Sequence, residues 1–236
     1  MKLGIMQPYF FPYLGYFSLI NYVDKWIAFD QVQYIYHGWI NRNRILHPSG
    51  NAWQYINVPL IKHSRNTQIN QIQIFNLSAC KQRILSQLQH YKKKAPYFNE
   101  TILLIEMCLT NDTTSLTELN VNILRKICSK IGISEKIEVY KELQIDAGPV
   151  NDPGDWALKI SQKIGANEYV NPIGGIEIFD KNKFEDSGIN LKFLNFKNPV
   201  YNQYNNEFIP GLSVIDVLMF NSIDNIKSML YSFEFI

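Results

Sequence analysis

The stretch Lys2-Leu3-Gly4-Ile5-Met6-Gln7-Pro8-Tyr9-Phe10-Phe11-Pro12-Tyr13-Leu14-Gly15-Tyr16-Phe17 passes from an apolar run through a proline-bounded turn into helical spacing. Lys2 to Met6 reads as a short buried strand, stopped by Gln7-Pro8 because proline cannot donate to a central ladder and restricts the residue before it. Beyond Pro12, the positions Leu14, Phe17, Leu19 and Ile20 share one helical face, and that helix is predicted to end near Asp24. Lys25-Trp26-Ile27-Ala28-Phe29 follows as a second buried strand. Two strands joined by a helical crossover form a βαβ unit, which requires a parallel sheet.

Working outward, the pattern turns β-prone from Val32 to Ile74, with turn chemistry at Pro48-Ser49-Gly50-Asn51. Trp39 to Leu46 is predicted to pair with Ala52 to Leu60 as a hairpin within an insertion over about 35–75. Helical spacing then marks Ser78 to Lys93, Asn99 to Leu109 and Ser115 to Ile131, a helical middle over about 78–131. Ile137 to Tyr140 and Glu168-Tyr169-Val170 are strand candidates, separated by a helix that starts near Pro153 and ends at Gly165. Leu191 to Phe196 is a further strand, followed by helices from Ser213 and from Asp224 to Tyr231. With no repeat or flexible linker, the expected architecture is a single α/β domain over 1–236, a Rossmann-like parallel sheet with flanking helices.

A net charge of +2 gives no electrostatic footprint for nucleic acid or membrane, and the expected partner is a small molecule. Cys80, Cys108 and Cys128 lie singly on helix-like segments, as buried thiols of a reducing compartment would. The first apolar run meets Gln7-Pro8 before it could form a signal-peptide core, and no stretch approaches the roughly 20 apolar residues of a membrane span, so a cytoplasmic location is expected. His37, His47, His63 and His90 show no metal-ligand spacing, and no metal is expected.

The densest candidate site is the turn with Gln7, Pro8, Tyr9, Tyr13, Gly15 and Tyr16, at a strand's carboxyl end and a helix's amino end. Ligands of open parallel sheets bind there, helix N–H groups suit anions, and tyrosines offer hydroxyls and flat faces. The alternative is that these rings only pack beneath the sheet edge. Asp30 and Gln33 follow the second strand and are expected to face the same crevice, Asp30 as a base or a hydroxyl ligand, although an Asp there also suits a turn. Strand alternation sets Trp39, Asn41 and Asn43 on one face and Arg42 and Arg44 on the other. Asn41, Arg42 and Lys62 are candidates for stabilising an oxyanion, or else belong to a solvated hairpin. Gly174 and Gly175 form a candidate phosphate-approaching turn. Tyr201, Gln203, Tyr204 and Asp216 are polar clusters near a helix start, at which Ser213 suits an N-cap.

Taken together these residues resemble the WbqC-like family, whose opening reads Met-Gln-Pro-Tyr-Phe-Phe-Pro-Tyr, an aliphatic residue, then Gly-Tyr-Phe; Met6 to Phe17 matches it throughout. The likeness continues in Asp24, Asp30-x-Val32-Gln33-Tyr34, Trp39-x-Asn41-Arg42-Asn43, Asn57-Val58-Pro59, Tyr201-x-Gln203, Phe208-x-Pro210 and Leu212-Ser213-x-x-Asp216. Tyr169 to Gly175 departs from it, since relatives usually read Tyr-Leu-Ser-Gly-Pro. The resemblance implies a place among bacterial O-antigen and surface-polysaccharide loci, where some family members are named as glycine or acyl transferases on amino sugars.

The implied function is therefore a transferase forming an amide on a dTDP- or UDP-linked amino sugar, with acyl-CoA or ATP as the activating cosubstrate and a homodimer as a compatible assembly. A more distant similarity joins the first unit to the nucleotidylyltransferase and class I synthetase superfamily. Its His-x-Gly-His motif would fall on Tyr13-Leu14-Gly15-Tyr16, where both histidines are missing. That likeness implies the alternatives of ATP-dependent nucleotidyl or ligase chemistry, beside a non-catalytic sugar-nucleotide binding protein.

Overall fold

The computed structural model describes residues 1–110, 112–203 and 207–236. The opening unit forms as its sequence dictates: β1 (Lys2–Met6), α1 (Leu14–Tyr22) and β2 (Lys25–Ala28), with Leu3 opposite Lys25 and Met6 opposite Ala28 in parallel register. A hairpin follows as β3 (Arg42–Leu46) and β4 (Trp53–Asn57), shorter at both ends than its β-prone sequence suggests. The helical middle comprises α2 (Leu77–Gln87), α3 (Phe98–Cys108) and α4 (Leu116–Lys130). The helix expected to reach Lys93 stops at Gln87, and the chain tightens into a 3-10 turn over Gln89–Lys93.

The second half adds β5 (Ile137–Val139), α5 (Tyr140–Leu143), α6 (Pro153–Ile164), β6 (Glu168–Pro172), α7 (Lys181–Asp186), β7 (Asn190–Phe196), α8 (Val214–Phe220), α9 (Ile223–Met229) and β8 (Phe233–Phe235). Local chemistry fixes α6 at both ends. Asp152 accepts the Asp155 N–H at 3.0 Å ahead of Pro153, and Gly165, at φ +74°, lets the Ala166 N–H reach back to the Ser161 carbonyl at 2.9 Å. Pieces without a counterpart in the sequence reading include α5, which takes in Tyr140 of the expected strand, α7, the 3-10 turns Ile69–Gln71 and Ile173–Ile178, and the antiparallel edge strand β8.

The strands assemble in the order β5-β2-β1-β6-β7-β8, parallel apart from β8, while β3 and β4 form a separate two-stranded sheet. Alternation divides the side chains between two cores. Trp26 and Ala28 join α1, the hairpin and the helical middle on one face, whereas Leu3, Ile5 and Ile27 pack with α6 and Phe184 on the other. Gly4 makes room for fully buried Trp26, whose Cδ1 lies 3.2 Å from where a Cβ would stand. The fold is thus a doubly wound α/β sheet whose winding reverses between β1 and β6, the place where such sheets open a crevice at their carboxyl ends. Among the described residues, no helix is long and apolar enough to cross a membrane.

Candidate active site

A crevice of about 1100 Å³ occupies that reversal point, lined by the carboxyl ends of β1 and β6, the segment after β2, the start of α6 and one edge of the hairpin. Gln7, Tyr9, Tyr13 and Tyr16 open into it, as do Gln33, Trp39, Asn43, Gly174 and Gly175. The turn is held from below. Phe11 sits at φ +40°, a conformation costly for a bulky residue, and its carbonyl accepts from Asn43 Nδ2 at 2.9 Å and Ser213 Oγ at 2.7 Å. Asn43 Nδ2 also bonds the Phe10 carbonyl at 3.0 Å, while Asn120 of α4 ties the carbonyls of Pro8 and Ile40 at 2.8 and 2.7 Å. Asn43 therefore braces the turn, and Asn120 does so without any local signal in the sequence.

The tyrosines divide by role. Tyr16 is fully committed, its hydroxyl donating to the Gln7 carbonyl at 2.5 Å and its ring packed on Trp26. Neither the Tyr9 nor the Tyr13 hydroxyl has a protein partner among the described residues. Burial pushes the pKa of Tyr9, Tyr13 and Tyr16 above the usual tyrosine value, so at neutral pH all remain protonated donors. Leu14 and Gly15 of the first helical turn are buried and do not line the crevice, which meets tyrosine side chains rather than the expected helix N–H groups. Gly15 is needed for packing, because a Cβ would stand 2.7 Å from the Phe196 ring and closer still to Tyr13. Pro8 is buried beneath the turn.

Among the described residues, one cation lines the crevice: Arg44, which strand alternation sets opposite Trp39 and Asn43. Its guanidinium lies 5.3 Å from the Trp39 ring centre and 5.2 Å from that of Trp53; Nη2 donates to the Gly211 carbonyl at 3.2 Å, and Nε is sealed without a partner. Such a stacked guanidinium keeps its charge and its fork of donors for phosphate or carboxylate. Asp152 is the carboxylate among the described lining residues, and Lys183 Nζ holds it at 2.7 Å while it caps α6.

Several expected members lie elsewhere. Asp30 does not share the crevice: β2 ends at Ala28, and where Phe29, Val32 and Gln33 turn toward the crevice, Asp30 turns into a second cavity and accepts the Lys141 N–H at 3.2 Å. Asn41 is consumed between the Tyr34 hydroxyl at 2.7 Å and the Val58 carbonyl at 3.0 Å. Arg42 stacks 4.2 Å over Tyr55 and donates to the His37 and Gly38 carbonyls. Lys62 is exposed and lines neither cavity. Strand geometry starts only at Arg42, so Arg42 and Arg44 alternate with Asn43 as predicted, while Trp39 and Asn41 precede the strand and fall outside that alternation. Tyr201, Gln203 and Asp216 do not line the crevice; Gln203 and Asp216 are buried and Tyr201 half-buried, and Tyr91, Tyr201 and Gln203 all donate to Asp216 at 2.7, 2.6 and 2.9 Å. Ser213 caps α8 as anticipated, and Tyr204 lies outside the described residues.

Against known proteins, the chain is 28% identical over 219 residues to the uncharacterized protein Rv1507c of Mycobacterium tuberculosis, which covers 92% of each chain. No solved structure matches. The braced aromatic turn that forms the crevice floor falls within the segment, residues 7–228, matched by the model of the WbqC-like protein family, and the chain belongs to that family.

Proposed function

We propose that this chain is a transferase that seats a nucleotide-linked amino sugar in the crevice and forms an amide on the sugar's amine, as part of bacterial surface-polysaccharide assembly. The observation that carries the reading is the pairing of two partnerless, protonated tyrosine hydroxyls with a stacked Arg44 in one crevice of about 1100 Å³. Arg44 supplies charge for a diphosphate, Tyr9 and Tyr13 supply donors for sugar or acyl oxygens, and Trp39 and Trp156 supply flat faces. Gly174, where nothing lies within 4 Å of a would-be Cβ, leaves backbone open to the ligand.

In the reaction, the free amine adds to the acyl carbonyl and a C–N bond forms. The bond to the leaving group breaks, releasing thiol from acyl-CoA or AMP from an acyl adenylate, and the amine's proton passes to solvent. Incubating the purified chain with dTDP- and UDP-linked amino sugars and either acetyl-CoA or ATP plus glycine tests this by the mass of the sugar nucleotide. A gain equal to the acyl group is the expected result; no gain with any donor contradicts it. Release of pyrophosphate from ATP with no acyl group gained by the sugar nucleotide would instead favour nucleotidyl-transfer chemistry. A second reading, a non-catalytic sugar-nucleotide binding protein, is favoured by the placement of Asp30 outside the crevice, and saturable binding with no turnover would support it.

A further inference from the structure

A second cavity, of about 490 Å³, lies on the far side of the segment that follows β2 and shares no lining residue with the crevice. Its inner wall is made by Asp30, 1% exposed, by Thr117, 5% exposed, and by Asn70. Backbone bonds gather these from three separate segments: the Asn70 N–H to the Asp30 carbonyl at 3.0 Å, the Leu116 N–H to the Ile72 carbonyl at 3.2 Å, and the Lys141 N–H to Asp30 Oδ1 at 3.2 Å.

Two acceptors of this wall stand without partners. Thr117 Oγ1 and Asn70 Oδ1 are both buried and have no hydrogen-bond partner among the described residues, and buried polar atoms in that condition are rare enough to require a cause. Beside them, the Asp30 carboxylate receives backbone N–H groups, from Lys141 and from Asp30 itself, and no side-chain donor among the described residues. Burial raises the Asp30 pKa, as expected of a carboxyl kept from water, while the Lys141 N–H acts in the opposite direction.

With Asp30, the lining carries three carboxylates against two cations. Glu118 and Glu142 face Arg125 and Lys141 across the cavity, but Arg125 is taken up by Glu135 at 2.7 Å and by the Ile137 carbonyl at 2.9 Å. A carboxylate, an amide oxygen and a hydroxyl among the residues lining one cavity offer acceptors for the three N–H donors of a primary ammonium group. Among the described residues, no group of three or more His, Cys, Asp or Glu side chains is placed to hold a metal ion.

We propose that this cavity binds the protonated primary amine of a small molecule, with Asp30, Asn70 and Thr117 accepting its three N–H bonds. The site stands apart from the crevice and from the transfer reaction proposed there, so either can fail alone. The test is a titration of the isotope-labelled full chain, followed through its backbone amide signals, with ethanolamine, tetramethylammonium and potassium as chlorides at matched ionic strength. Ethanolamine is expected to shift the signals of Asp30, Asn70, Thr117 and Lys141 saturably below about 100 mM, a range open to so small a ligand.

Tetramethylammonium, with equal charge and no N–H, is expected to leave them in place. Asp30→Asn should weaken ethanolamine binding about ten-fold or more and Thr117→Val several-fold. Both changes are near-isosteric, and if Asp30→Asn does not fold, Thr117→Val decides. No shift with ethanolamine, or equal shifts with either control cation, would overturn the proposal.

Discussion

Two tyrosine-rich polar clusters stand in this molecule, and they have opposite fates. At the β1–α1 turn, Tyr9 and Tyr13 hold hydroxyls with no protein partner toward an open crevice beside Arg44. Beneath α8, Tyr91, Tyr201 and Gln203 spend their donors on one carboxylate, Asp216, which is wholly buried, and Gln203 also pairs with the Ile209 backbone in both directions. A satisfied network rigidifies a core, whereas donors left unsatisfied on an accessible wall are available to a ligand. The residue types barely differ; completeness of pairing separates the structural cluster from the candidate site.

The comparison can be broken most forcefully at Asp216. Asp216→Ala strands three buried donors and is expected to cost about 3–5 kcal/mol of stability, measured by urea denaturation; a loss below about 1 kcal/mol would mean that the cluster is not structural. Next in size is a pH effect. Desolvation raises the Asp216 pKa from the ordinary 3.8 to about 6, against the pull of its three donors. Between those values the folded chain holds a proton that the unfolded chain has released, so stability is greatest below pH 4 in this respect and falls as pH rises through 6. The expected loss is on the order of 3 kcal/mol, and Asp216→Asn, which cannot ionise, should flatten that slope. Smaller still is Gly15→Ala. Its Cβ meets the Phe196 and Tyr13 rings, which predicts about 1–3 kcal/mol of destabilisation together with weaker ligand binding through a displaced Tyr13.

Regular elements were legible because their signals are local. Apolar runs, Pro153 with Gly165, and the Gln7-Pro8 stop suffice to place β1, α1, β2, α6 and the parallel sheet. Edge strand β8 escaped because Phe233–Phe235 is too short to show a period and pairs only through contact with β7. The turn residues reached the crevice because a strand's carboxyl end fixes where a following turn opens, whatever the later chain does. Asp30 lies beyond the end of β2 and Trp39 lies ahead of β3, so neither facing follows from extending a strand's alternation. Tyr201, Gln203 and Asp216 looked functional because sequence displays polar groups without their partners, and Tyr91, 110 positions before Tyr201, completes the set only in three dimensions.

The most direct measurement is the affinity of a UDP-linked amino sugar, by calorimetry, for the unaltered chain and for Tyr13→Phe and Arg44→Met. We expect saturable binding by the unaltered chain, a loss of about ten-fold in each variant, and stability of Tyr13→Phe within about 0.5 kcal/mol of the original because no protein contact is removed. Equal affinity in all three proteins, or no binding to the unaltered chain by this ligand or its dTDP counterpart, would contradict the assignment of the crevice.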